Sequence, residues 1–406
     1  MDQHDGYAYD ETFLPQSALG ALAEQLPTPF YLYHEQGIRE SVRRLKQAFG
    51  WCEGFRQYFP IHVLPLPAVL QILREEGCGI RCRTLRELRL ARRCGFRAGR
   101  ILYGPMVPQA DALAEALRLG APVSLDNPAA VEICLRQRNL PQTVSLCYNP
   151  GGKFLVDRMA AARPERSKRG MTEPQLLAQA KRLLHAGVRR LGLEADLTVQ
   201  TLECGYYAAV LRMLCQLAGR LREHGVGISF FNLGDGPGLG FLPEEQDADL
   251  AAWGARARLE MDAVQPPVPV WTAAGRILTG PNGIFVSRVL CRKQMDRNFI
   301  ILDADAEAFP RMLQGAYHHI SLLGKTQRAG RLYCDVVGCM PDSQYRFGEH
   351  RLLPPAEAGD CCILHNAGAG AALQQQCGAY LYAADGTVRP AGDVRKEYGK
   401  TSEWKE

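Results

Sequence analysis

The hydrophobic rhythm of this chain changes once. From residue 29 to about residue 275, short apolar runs alternate with longer stretches whose apolar residues recur every three or four positions. The runs Gly79–Cys82, Ile101–Tyr103, Pro122–Leu125, Val144–Tyr148, Arg190–Leu193, Ile228–Leu233 and Val268–Thr272 read as strands. PAVLQILREEG, TLRELRLARRCG and YYAAVLRMLCQLAGRLREHG read as amphipathic helices. Each stops near a glycine, which tolerates the left-handed backbone of a helix C-cap. Strands alternating with helices predict parallel βαβ units. About eight units in roughly 250 residues fit a (β/α)8 TIM-like barrel of the α/β class, with an open doubly wound sheet as the alternative.

After residue 276 the texture becomes β-rich. FVSRVL, NFIILD, RLYCDVVG, DCCILH and AYLYA are short alternating runs, and Asp385-Gly386 is a turn signal between two of them. This predicts an antiparallel β domain over residues 276–406, joined by the N-terminal segment 1–28, with the barrel over 29–275.

Composition narrows the function classes. The chain has 406 residues, 47% hydrophobic and 22% charged, with a formal net charge of +5. The basic residues are dispersed, so a nucleic-acid partner is not expected. The densest run, Arg158 to Arg169, reads as a solvated loop face. Fourteen cysteines show no paired CxxC spacing; Cys78 and Cys82, and adjacent Cys361 and Cys362, make no zinc motif. No metal is expected. The opening MDQHDGYAYDETF has neither a basic n-region nor an apolar h-region, and no run is long enough to span a membrane. A cytoplasmic protein with reduced cysteines is the expectation.

Several segments, in order, carry a resemblance. TPFYLYHEQGIRESVRRLKQAFG, NPGGKF followed by SKRGM, TAAGRILTGPNG, QGAYHHISLLGK and HNAGAG are similar to the opening strand and helix, NPGG, SKxGM, TExGRxxTGPHG, YGAYHHI and HDAGAY segments of the diaminopimelate decarboxylase-like family. Those are fold type III enzymes with an alanine racemase-like barrel that use pyridoxal phosphate (PLP). The resemblance implies a barrel holding PLP at the C-terminal ends of its strands, a β domain and a head-to-tail homodimer.

The same resemblance places departures on the cofactor site. In F-P-I-H-V-L-P-L-P-A, His62 stands where the family has the Schiff-base lysine, and imidazole cannot form that imine. Ala273 stands for the carboxylate at the pyridine nitrogen. Asp196 and Val199 stand for the histidine and serine of HxHxGS. Pro341 replaces the partner-facing cysteine, with Asp342 beside it. Gly370 and Gln314 replace tyrosines. Gly234, Gly236 and Gly238 retain a phosphate loop, but Asp235 sits inside it, where a carboxylate repels a dianion. Gly275 and Arg276 also match.

Arg81 stands for an acidic residue, Arg86 for a glycine and Cys147 for an arginine. Two consequences stand open. Arg81 and Arg86, with Cys147 and Tyr317, line a cationic mouth that grips a small carboxylate or amino-acid-like ligand. Otherwise the arginines fill the cofactor volume and pair with Asp196 or Glu194.

The candidate catalytic groups are His62, Asp196 and Asp342, the vestigial cofactor contacts Gly234, Gly236, Gly238, Gly275 and Arg276, and no bound PLP is expected. The functional readings are a pseudoenzyme or repurposed biosynthetic protein, an active PLP decarboxylase (a carbon–carbon lyase) using another lysine such as Lys153, or a non-catalytic partner subunit of a true decarboxylase.

Overall fold

The computed structural model describes residues 12–154, 164–197, 201–242, 245–262, 264–305, 308–309, 317–325, 330–341, 345–370 and 377–393. Eight parallel strands close into a barrel: β2 (Arg56–Pro60), β3 (Gly79–Cys82), β4 (Ile101–Tyr103), β5 (Val123–Leu125), β6 (Thr143–Cys147), β7 (Arg190–Glu194), β8 (Phe230–Asn232) and β9 (Val270–Thr272). Every pairing within it is parallel, β9 returning to β2 through Arg56↔Trp271 and Gln57↔Thr272. The barrel predicted from the rhythm is present. RQYFP, however, is a strand that the apolar pattern did not isolate, because Arg56, Gln57 and Pro60 break its run.

A layer of large side chains fills one level of the barrel interior. Tyr58, Leu102, Phe230 and Trp271 are all buried, and the Phe230 and Trp271 rings stack with centroids 3.7 Å apart. Gly192 makes room for this: a Cβ there would lie 2.3 Å from the Phe230 ring. The interior is thus a packed core, and a ligand must enter from a rim.

The flanking helices begin and end by local chemistry. After β1 (Phe30–His34), helix α1 (Gln16–Gln25) having preceded it, come α2 (Glu35–Ala48), α3 (Pro67–Glu75) and α4 (Leu85–Arg93). Thr84 caps α4 by accepting from the Glu87 amide at 3.2 Å, while Glu87 accepts from the Arg83 amide at 2.5 Å. Gly77 and Gly95 follow α3 and α4 with φ of 79° and 84°, the cap conformation expected there.

The second sheet runs β14-β13-β11-β10-β1-β16-β17, with β12 and β15 paired alongside β10. Its strands are β10 (Gly283–Gln294), β11 (Asn298–Leu302), β12 (Ile320–Leu322), β13 (Leu332–Val337), β14 (Arg346–Leu353), β15 (Cys361–Leu364), β16 (Gly378–Tyr382) and β17 (Val388–Pro390). It is mostly antiparallel, but β1–β16 and β11–β13 pair in parallel. The strand at residues 30–34 was expected to open the barrel. It lies instead in this sheet, between β10 and β16. Its apolar side chains face core on both sides, so its pattern does not say which sheet it joins. Helix α1 covers the sheet with Leu19 and Ala23, against Phe30, Leu32, Ile284 and Val286.

Candidate functional site: a charged barrel mouth

Candidate residues gather at the C-terminal ends of the barrel strands. His62 lies in the single turn Ile61–Val63 that follows β2, Arg81 in β3, and Arg83 just beyond it. Cys147 ends β6, Glu194 ends β7, and Asp196 is two residues further on. The glycine loop follows β8, and Arg276 opens the short helix Arg276–Thr279 after β9. Strands that are far apart in sequence end at one rim because the barrel is parallel and closed.

A buried ion pair dominates the mouth. Arg81 Nη2 donates to Glu194 Oε1 at 2.7 Å, and the two side chains are 1% and 0% exposed. Glu194 Oε2 also accepts from Ser124 Oγ (2.6 Å), Ser145 Oγ (2.9 Å) and Asn232 Nδ2 (3.0 Å). One carboxylate thereby collects donors from β3, β5, β6 and β8, which offsets the cost of burying it. Arg81 Nη1 lies 3.6 Å from both Asp196 Oδ2 and Asp235 Oδ1. Arg169 donates to Asp196, and its Nε is 3.4 Å from Asp126 Oδ1. The mouth is therefore not simply cationic. Arg81 and Arg169 are matched by carboxylates, in line with the pairing alternative for Arg81.

The electrostatics follow from this crowding. Burial, reinforced by the charges of Arg83, Arg81 and Arg276, pushes the His62 imidazole down to about 3, so it is neutral at ordinary pH. Burial alone would raise Asp196, but Arg169, Arg81 and Arg83 outweigh it and hold the carboxyl below its usual range. Asp235 goes the other way: burial and the neighbouring Asp196 raise it despite the arginines. Burial pushes the Cys147 thiol well above its ordinary range, so it is no thiolate nucleophile. Burial also lowers Arg83 and Arg276.

The glycine loop keeps its shape. Gly234 and Gly236 have φ of 67° and 71°, and a Cβ on Gly236 would lie 2.9 Å from Ala274 Cβ. Tyr207 donates its hydroxyl to the Gly236 carbonyl. The Gly234 amide donates to Asn232 Oδ1 at 3.2 Å and the Gly238 amide to the Thr201 carbonyl at 2.8 Å. Gly275 packs on the turn bearing His62, its Cβ position 3.0 Å from Val63 Cγ2.

Other expectations fall differently. Arg86 lies in the first turn of α4 and is not among the charges acting most strongly on His62, Asp196 or Asp235. Arg83 is. Tyr317 belongs to the sheet domain, where the Arg351 guanidinium lies 3.4 Å over its ring. The basic run that ends at Arg169 is not all solvated face: Arg166 and Lys168 are exposed, but Arg169 reaches into the mouth. Asp342, Val199 and Gln314 lie outside the described residues. Among the described residues, no three His, Cys, Asp or Glu side chains cluster to hold a metal, and no helix is long and apolar enough to cross a membrane.

Arg83, Arg169, Ser124, Ser145 and Asn232 were not singled out from the sequence. SKRGM contains Arg169, and that motif was the available signal. The serines and asparagine carry none, because their role exists only through Glu194.

Barrel, sheet and rim together define a class, the fold type III PLP-barrel proteins. The profile of the pyridoxal-dependent decarboxylase, pyridoxal binding domain, matches residues 35–280, and this chain belongs to that family, in its diaminopimelate decarboxylase-like group. Among particular relatives, Protein TabA of Pseudomonas amygdali pv. tabaci is 32% identical over 383 residues, 93% of this chain and 89% of its own length. Diaminopimelate decarboxylase of Methanothermobacter thermautotrophicus is 28% identical over 360 residues, 86% of this chain and 83% of that enzyme. The fold matches diaminopimelate decarboxylase from M. jannaschi with a TM-score of 0.84 at 19% identity, covering 94% of each chain. It also matches the Helicobacter pylori enzyme complexed with L-lysine (TM-score 0.81, 19% identity, 94% of this chain and 98% of that one).

Proposed function

We propose that this protein has left PLP catalysis and binds a small carboxylate-bearing, amino-acid-like molecule at the barrel mouth. The Arg81–Glu194 pair carries this reading: a salt-bridged guanidinium occupies the inner mouth. The residues present do not fit PLP. None of the eight barrel strands contains a lysine, and His62 follows the first of them. Lys46, Lys168 and Lys181 are exposed, and Lys325 of the sheet domain is paired with Asp360. Ala273, at the position for the pyridine-nitrogen carboxylate, is a buried apolar side chain. In the glycine loop two amides donate within the chain, and Asp235 brings negative charge where a phosphate dianion would sit.

Relatives that decarboxylate diaminopimelate, and a structural neighbour complexed with L-lysine, support an amino-acid-like ligand class.

The test is an absorbance scan of the protein mixed with PLP, followed by borohydride reduction and peptide mass mapping. The expected result is no aldimine band and no pyridoxyl-lysine. A reduced adduct on one lysine, with Lys153 in the turn Gly151–Lys153 after β6 as the residue to inspect, would return the chain to the active decarboxylases.

A further inference from the structure

One cleft in the helix layer gathers arginines without a carboxylate. The stretch from Arg83 to Arg100 holds seven arginines and one acidic residue, Glu87, which is buried. Arg89, Arg92, Arg93, Arg97 and Arg100 are exposed, as is Arg74 in the last turn of α3. Neighbouring surfaces are balanced. Arg39 pairs with Glu35, Glu75 and Glu76, and Arg43 with Glu76. Glu115 accepts from Arg118 at 2.6 Å and lies 3.8 Å from Arg92. Between α3 and α4 the balance stops. Arg74, Arg93 and Arg97 line a cleft of about 780 Å³ with Pro67 and Leu90, and no carboxylate lines it. Among the described residues, neither Arg74 nor Arg97 donates a side-chain hydrogen bond or lies within ion-pair distance of an acid.

α3 and α4 both end beside this cleft, and alike. The Cys78 amide donates to the Leu73 carbonyl at 2.9 Å and the Phe96 amide to that of Ala91 at 3.0 Å, with Gly77 and Gly95 left-handed. The chain then runs into the starts of β3 and β4, so the cleft lies toward the rim opposite the mouth. Basic side chains often neutralise the free carbonyls of a helix C-terminus. At α3 other residues serve them: Lys46 Nζ donates to the Glu76 carbonyl at 3.0 Å and Arg100 to that of Gly77. Arg74 instead crosses to the end of α4. Its Nε and Cζ lie 3.5 and 3.6 Å from where a Cβ would stand on Gly95. The start of α3 is pinned as well. The Ala68 amide donates to the Ala391 carbonyl at 3.2 Å, and a Cβ on Gly392 would lie 2.6 Å from Pro67 Cδ.

A single exposed guanidinium is well hydrated and needs no counter-ion. Several lining one concave surface focus positive potential, which raises the local concentration of anions. The cleft falls within the range of about 300–1,000 Å³ usual for small-molecule sites. At about 30 Å³ per water it has room for roughly 25, more than one phosphoryl group displaces. A planar carboxylate suits one guanidinium fork, whereas a phosphoryl group offers three oxygens to donors arriving from separate helices.

We infer that this cleft binds an organic diphosphate, its phosphoryl groups held by Arg74, Arg93 and Arg97 and its uncharged part against Pro67 and Leu90. The site is separate from the barrel mouth and stands whether or not PLP catalysis has been lost.

Titration calorimetry and thermal shift on the full chain test it with inorganic pyrophosphate, ADP, orthophosphate, citrate and an oligothymidylate. Pyrophosphate and ADP are expected to bind one site per chain and to raise the melting point. Orthophosphate and citrate are expected to bind about tenfold or more weakly. Arg74→Gln and Arg97→Gln should each weaken pyrophosphate about tenfold, and circular dichroism checks that both are folded. Arg89→Gln, on the exposed face of α4 outside the cleft, should change it less than about twofold. Half-buried Cys94 also lines the cleft, so pyrophosphate should slow its alkylation and leave that of exposed Cys291 unchanged. The inference is overturned by the absence of saturable pyrophosphate binding, or by citrate binding as tightly. An equal loss in Arg89→Gln, or an oligothymidylate that binds more tightly through the same arginines, would make the surface a diffuse polyanion track and overturn it too. Loss in Arg83→Gln without loss in Arg97→Gln would move the anion to the mouth.

Discussion

Arg81 and Glu194 meet inside the barrel at 2.7 Å, from strands that are not neighbours, and neither side chain touches water. Such a pair resists the loss of one member more than the loss of both. Removing a single partner leaves a buried charge without its counter-ion, at about 3–5 kcal/mol, while replacing both by apolar groups of similar size is often close to neutral.

Arg81→Met and Glu194→Met should therefore each lower stability by about 3–5 kcal/mol, and the double variant should recover most of that loss. Urea denaturation of the three variants measures the coupling. Additive losses would mean that Ser124, Ser145 and Asn232, rather than Arg81, hold Glu194.

Acid should weaken the fold through its buried histidines. His62 in the folded chain protonates only near about 3, against an ordinary 6.5, and faces Arg83, Arg81, Arg276 and Asp196. Buried His365, beside His319 and His318, is lowered to about 3 as well. The unfolded chain takes up these protons first, so stability present above pH 6.5 is lost as pH falls toward 3. Each histidine accounts for about 1–2 kcal/mol of the loss by pH 5. His62→Asn should flatten the pH dependence of the urea midpoint between pH 7.5 and 5 by that amount. An unchanged slope would show that the imidazole is not held neutral.

Gly236 has no room for a side chain. Its φ is 71°, and a Cβ would lie 2.9 Å from that of Ala274. Gly236→Ala should cost about 1–3 kcal/mol, from left-handed backbone strain and the contact together. A melting point within a degree of the parent would show that the loop relaxes freely.

Asp235 should set the mouth against phosphate. Its Oδ1 is 3.6 Å from Arg81 Nη1 and lies within the glycine loop. Asp235→Asn removes one negative charge a few ångströms from the anion position, an effect of about 1–4 kcal/mol depending on screening. Inorganic phosphate should bind the variant roughly tenfold or more tightly than the parent by calorimetry. Equal binding would place the anion elsewhere.

Much of the architecture is legible in the chain. Strand-length apolar runs separated by amphipathic helices predicted the barrel, and seven of its eight strands fall on runs recognisable by eye. The eighth, Arg56–Pro60, hides because polar residues and a proline interrupt it. The rim was legible in part. His62, Arg81, Asp196, Asp235 and Arg276 stand at motif positions, whereas Arg83, whose charge acts on His62, was not singled out, and Arg169 was left on a solvated face although it pairs with Asp196.

The sequence by itself determined the period of each element, the residues at the ends of the strands, and the family to which their motifs belong. These depend on neighbours a few positions away, through propensity, patterning and capping. Tertiary structure alone decided which charges meet. Closing the barrel sets Arg81 of one strand against Glu194 of another, 113 residues away, and brings Arg83 and Arg276, which follow the two strands flanking β2, to the rim that carries His62. Electrostatic energy depends on separation and burial in space, and neither is written in the spacing of residues along a chain.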